Sequence, residues 1–141
     1  MTKQEIYDKV CAGLAAQGGP SMDEKGAQCR YRGTSGRKCA AGFLIPDELY
    51  KDGMDQGIFG GGGTFKSLCA SDPEVLALVG EENVNLVQML QCVHDANASR
   101  TVPPRDEFAS VAARFDITPG AEQAITRWSL EPTKEELVGQ G

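Results

Sequence analysis

Glycine and proline cut this chain into short pieces. Gly18-Gly19-Pro20, Gly60 to Gly63, Pro103-Pro104 and Thr118-Pro119 are each turn or breaker signals. Between them only short elements fit, and the apolar spacing says which are helices. Thr2 followed by Glu5 is a capping-box signature, after which Ile6, Val10 and Leu14, with Tyr7 beside them, mark one helical face. Ser71-Asp72 before Pro73-Glu74 opens another short helix, running through Leu76, Leu78 and Val79 to Gly80. The longest helix spans about Asn83 to Asn97, with Leu86, Val87, Leu90 and Val93 as its apolar stripe and Met89 at the border. Pro103-Pro104 starts a helix whose Phe108, Val111, Ala112 and Phe115 share a face. Thr118-Pro119 opens one more, containing Ile125 and Trp128.

One region breaks the helical pattern. Gln28 to Arg32 and Arg37 to Cys39 are polar-alternating runs around Gly33-Thr34-Ser35-Gly36, which predicts a β-hairpin. Ala40 to Ile45 behind it is the most apolar stretch and should be buried; periodicity alone leaves helix and strand both open. Pro46 to Tyr50 reads as a helical first turn, and Lys51 to Thr64 as a loop. The expected fold class is therefore α+β, mostly helical, with several short helices packed around one small β-hairpin. Residues 1–128 form a single compact domain, and 129–141 a polar, loosely ordered tail despite a second capping box at Thr133 and Glu136.

Charge and cysteine usage exclude several functions. Fourteen basic against twenty acidic residues leave a formal charge of -6, which opposes phosphate-backbone binding and anionic membranes. Nucleic acid is not expected as a partner on that ground. Arg30, Arg32, Arg37 and Lys38 cluster locally, and are read as the outer face of the hairpin. No targeting segment or membrane-spanning run is visible, and five cysteines (11, 29, 39, 69 and 92) lack a secreted framework's spacing. A cytoplasmic protein with reduced thiols is expected.

The chemistry-bearing motifs are incomplete. The glycine run and Lys66-Ser67 do not have phosphate-loop spacing, because Thr64-Phe65 intervenes. A zinc site assembled from Cys29, Cys39, Cys92 and His94 would lack the paired close spacings such sites use, so no metal or cofactor is expected. Acidic pairs such as Asp47-Glu48 and Asp106-Glu107 sit where helix starts attract acids anyway. The sharpest catalytic reading takes Cys39 as nucleophile and His94 as base, with Asp95 or Asn97 as orienter. Against it, strand alternation would put Arg37 but not Lys38 beside the sulfur, and the apolar run after Cys39 turns it toward the core.

Tyr31-Arg32-Gly33, then Gly36 through Cys39-Ala40-Ala41-Gly42 to Pro46-Asp47-Glu48-Leu49-Tyr50, with Leu90-Gln91 and His94-Asp95 later, resembles a group of small uncharacterised proteins of bacteriophages and bacterial genomes. The resemblance implies one recurring design that includes the hairpin, the Cys-Ala-x-Gly turn and the His-Asp pair. It transfers no activity. The leading expectation is a non-catalytic binding module of phage or accessory type that docks on a host protein or small ligand, with Tyr31, Arg32 and Arg37 as candidate binding residues. The alternative is a small cysteine-dependent hydrolase or transferase using Cys39 and His94.

Overall fold

The computed structural model describes residues 1–22, 31–33, 36–51, 54 and 64–133. Five α-helices and three short 3-10 turns occur among them: α1 (Lys3–Gln17), α2 (Phe65–Ser71), α3 (Pro73–Val79), α4 (Val84–Asn97) and α5 (Arg105–Arg114), with 3-10 turns at Ala41–Leu44, Glu81–Asn83 and Ala121–Ala124.

The capping box forms at the start of α1. Thr2 Oγ1 accepts from the Glu5 amide at 3.1 Å, and Glu5 Oε1 accepts from the Thr2 amide at 2.9 Å. Gly18, at φ 82°, closes the helix in the left-handed conformation that glycine adopts without strain. Ile6, Tyr7, Val10, Cys11 and Leu14 are wholly buried. Asp72 caps α3 by accepting from the Glu74 and Val75 amides, with Pro73 at the first helical position. On α4, Leu86, Val87 and Leu90 are wholly buried, as the stripe predicts. This helix touches α2, α5 and the Ala41–Leu44 turn, and the same turn also touches α1. The apolar stretch behind the expected hairpin is therefore a 3-10 turn wedged at the middle of the core, with Ala41, Leu44 and Ile45 buried and Phe43 half-buried.

The expected β-hairpin is not found among the described residues, which hold no strand, sheet or hairpin, so the α+β reading is corrected to a mostly helical one with no strand there. One bond of the expected ladder exists, from the Gly33 amide to the Arg37 carbonyl at 2.8 Å. Side chains bond much of the second arm. Gln17 Oε1 accepts from the Lys38 amide at 2.7 Å while Gln17 Nε2 donates to the Lys38 carbonyl at 2.8 Å. Ser21 Oγ donates to the Arg37 carbonyl at 3.2 Å. A backbone donor and acceptor must find partners when buried, and a glutamine carboxamide supplies both as a neighbouring strand would. Gln28 to Arg30 and the Thr34-Ser35 tip lie outside the described residues.

α1 uses the same device at its other end. Gln4 Oε1 accepts from the Thr118 amide at 2.9 Å and Gln4 Nε2 donates to the Thr118 carbonyl at 3.1 Å. This helps explain a second departure from the sequence reading: no helix runs from Thr118 to Trp128, only the single turn Ala121–Ala124. Tertiary partners hold the segment. Tyr7 grips Glu122, the Ser129 amide donates to the Gly18 carbonyl at 3.0 Å, and Ile125 and Trp128 are both buried outside any helix. α2, capped by Thr64, was not anticipated either, since its seven residues span too few turns to show a period. Of the expected loose tail, Ser129 and Glu131 accept from the Arg37 guanidinium, and 134–141 lie outside the described residues.

Candidate functional site

His94 lies on the last turn of α4 and is wholly buried. Its Nε2 accepts from the backbone amide of Ser21 at 3.0 Å. An amide can only donate, so the bonding pattern assigns the ring proton to Nδ1, which faces Asp95 Oδ1 at 2.9 Å. The same carboxylate oxygen accepts from Gln91 Nε2 at 2.7 Å, and Gln91 Oε1 accepts from the Ala41 amide at 2.9 Å. The Trp128 ring meets the imidazole edge to face, 6.2 Å between centroids and 75° between planes. Trp128 Nε1 donates to the Asn97 carbonyl at 2.9 Å.

Asp95, His94 and Ser21 thus stand in the spatial order of a hydrolase triad, but the bonding is wrong for one. The base nitrogen faces the Ser21 amide rather than its hydroxyl, and that hydroxyl donates to the Arg37 carbonyl. Ser21 is itself wholly buried. Cys39 fares no better as the nucleophile. It is only 1 % exposed, its carbonyl accepts from the Phe43 amide at the start of the central 3-10 turn, and both nitrogens of His94 are already engaged. His94 and Asp95 are brought together as the sequence suggested; Cys39 has no ring nitrogen left to serve it.

The candidate binding residues also turn inward. Arg37, read from sequence as an outer-face cation, is 3 % exposed. Its Nη1 donates to the carbonyls of Pro20 (3.2 Å) and Ser129 (2.5 Å), and its Nη2 to that of Glu131 (2.8 Å). Gly19 lets these strands of chain meet, because a Cβ there would run into the Ser129 backbone. Arg32 spans the Pro46–Tyr50 turn, donating to the Ile45 carbonyl at 2.6 Å, pairing with Asp47 at 2.8 Å and lying 4.9 Å above the Tyr50 ring. Tyr31 is buried. The cluster of cations is therefore no exposed patch at Arg32 and Arg37, and Arg30 lies outside the described residues. Among the described residues no group of three or more His, Cys, Asp or Glu side chains is close enough to hold a metal ion; Cys29 is not among them.

A second buried titratable cluster joins α1 to the Ala121–Ala124 turn. Tyr7 Oη donates to Glu122 Oε1 at 2.6 Å, the Gly120 amide adds a bond at 2.9 Å, and Gln123 Nε2 reaches Oε2 at 3.1 Å. Burial opposes ionisation of Glu122, but those donors together outweigh it and hold the carboxyl below its ordinary range. Burial, then the Glu122 bond, pushes the Tyr7 phenol well above its ordinary range, and burial pushes the Cys11 thiol up to about 12. The arrangement is closed, and its consequence is pH-dependent stability. A carboxyl whose folded pKa is depressed stabilises the fold above its unfolded value, about 4.3 for glutamate, and loses that contribution as pH falls through the folded value. Glu122→Gln should therefore lower the urea midpoint at neutral pH, with the gap to the parent closing as the pH drops below about 4. A gap that is constant from pH ~7 to pH ~3 would mean the carboxylate charge contributes nothing.

One concavity among the described residues has Asn97 in its wall. A groove of about 290 Å³ is lined by Arg100, Val102, Pro103, Arg105, Asp106 and Glu107, together with Asn97 and Pro104. None of these residues was singled out from the sequence as a binding residue; the visible signal was a proline pair flanked by two arginines. None of the described helices is long and apolar enough to cross a membrane. No family model, no curated protein and no solved structure matches this chain.

Proposed function

We propose that this protein is a non-catalytic binding module of accessory or phage type, working in a cytoplasmic, reducing compartment and docking on another protein or a small ligand. One observation carries the reading: both nitrogens of the only histidine are spent on internal bonds, to Ser21 and Asp95, in a wholly buried ring. A general base must reach the proton it abstracts, and here the lone pair is already occupied by an amide. The free thiols of Cys11, Cys69 and Cys92 support a reducing compartment, and the resemblance carried by Tyr31 to Tyr50 supports the accessory role. The internal engagement of Arg32 and Arg37 removes the main support for nucleic-acid binding.

The test is iodoacetamide labelling of each cysteine, read by peptide mapping across pH. Cys92, exposed on α4, should label first, and Cys39 only after denaturation. Rapid modification of Cys39 in the folded protein at about pH 6 would mark a depressed thiol pKa and an open path to the sulfur. That result would replace the binding module with the thiol enzyme.

A further inference from the structure

The binding reading leaves open where a partner sits. The core residues around His94 are sealed, whereas the groove between the end of α4 and the start of α5 is open and chemically mixed. Val102 at its rim is 70 % exposed, the highest of any large apolar residue described. Arg100 is exposed and Arg105 half-buried, and neither makes an ion pair among the described residues although Asp106 and Glu107 line the same groove. Glu107 is instead tied to Asn97, whose Nδ2 donates to Glu107 Oε2 at 2.9 Å and to the Val93 carbonyl at 2.8 Å. The Asn97 carbonyl is in turn held by Trp128.

From this, and resting on the binding-module reading, we propose that the groove is a docking surface for a short segment of a partner protein that sets one or two carboxylates beside an aliphatic side chain. The two guanidiniums supply planar forks suited to carboxylates, and Val102 with Pro103 supplies the apolar contact. Asp106 and Glu107 discriminate against segments that are acidic throughout. Two consecutive prolines and the pinned Asn97 fix the wall in advance, which reduces the ordering cost of binding. The volume is at the lower end of ligand-pocket sizes and suits two or three residues rather than a large cofactor. On a chain of net charge -6, a carboxylate-bearing segment is repelled elsewhere, so this pair of cations also sets where it lands.

The experiment uses the full chain, isotope-labelled, titrated with a pool of end-blocked hexapeptides in which Asp or Glu alternates with Leu or Val. A matched pool carries Lys or Arg in place of the acids. The acidic pool should shift the amides of residues 100–102 and 105–107 and the Trp128 indole, with an apparent dissociation constant on the order of 0.1–1 mM. Arg100→Glu with Arg105→Glu should weaken it about tenfold or more while leaving the melting temperature little changed, because Arg100 is exposed and neither side chain makes a hydrogen bond or ion pair among the described residues. No shift at about 5 mM peptide, equal shifts with the basic pool, or indifference to the double variant would each overturn the proposal. A silent groove with an inert Cys39 removes this docking surface and leaves the non-catalytic reading standing; a reactive Cys39 removes that reading itself.

Discussion

Trp128→Ala is expected to cost about 3–5 kcal/mol, a large fraction of the stability of a domain this size. The side chain is only 2 % exposed although no helix carries it, so its position depends wholly on tertiary contacts. Truncation would remove the ring from beside His94 and leave a cavity that neighbouring helices cannot fill without moving. It would also take the indole N–H from the Asn97 carbonyl, which would keep only its bond from the Arg100 amide. Trp128→Phe separates the two effects. It keeps most of the ring volume, loses only the N–H, and should cost about 1–2 kcal/mol. Because Trp128 is the only tryptophan, urea unfolding has to be followed by far-ultraviolet circular dichroism rather than intrinsic fluorescence. An alanine variant within about 1 kcal/mol of the parent would show that the segment after the Ala121–Ala124 turn is not part of the core.

What the sequence shows plainly is whatever depends on neighbours a few residues away. The Thr2/Glu5 capping box, the Asp72-Pro73 helix start and the Leu86/Val87/Leu90 stripe all appear where the pattern puts them. Local signals failed where a distant side chain took over the work of secondary structure. The alternation around Gly33 to Gly36 resembles a hairpin, but the backbone of Lys38 is bonded by Gln17, twenty-one residues away. Thr118-Pro119 resembles a helix start, but Gln4 clasps Thr118 and Tyr7 clasps Glu122 across more than a hundred residues. Polar side chains that bond a remote backbone have no period to detect. The candidate site divides in the same way. His94 beside Asp95 is legible because the two are adjacent, whereas Ser21 as the partner of Nε2 is not. Counting Arg37 among exposed cations was the natural reading of a charge cluster, since arginine is rarely fully buried unless its donors are satisfied. Here three carbonyls accept from the guanidinium, and carbonyls leave no mark in sequence.

That burial makes Arg37 the residue whose replacement should most disturb the joint between the two ends of the chain. Its guanidinium gathers Pro20, just after α1, and Ser129 and Glu131, near the end of the described chain. Hydrogen bonds to a charged donor contribute about 1.5–3 kcal/mol each, and removing a buried partner leaves the acceptors to find water. Rehydration of the outer carbonyls offsets part of the loss, so Arg37→Ala should cost about 3–5 kcal/mol rather than the full sum. Arg37→Lys tests whether charge alone suffices. An ammonium has the charge but not the planar fork, and one nitrogen cannot sit within bonding distance of all three carbonyls, so lysine should recover less than half of the loss. Hydrogen exchange locates the effect. The Ser129 amide, which donates to the Gly18 carbonyl, should lose protection in both variants while the amides of α4 keep theirs relative to global stability. If Arg37→Lys matched the parent, or if Ser129 stayed protected in Arg37→Ala, the guanidinium would not be the clasp, and the Ser129 bond to Gly18, the Arg127 bonds to Gly18 and Glu131 and the buried Trp128 would hold the chain end instead.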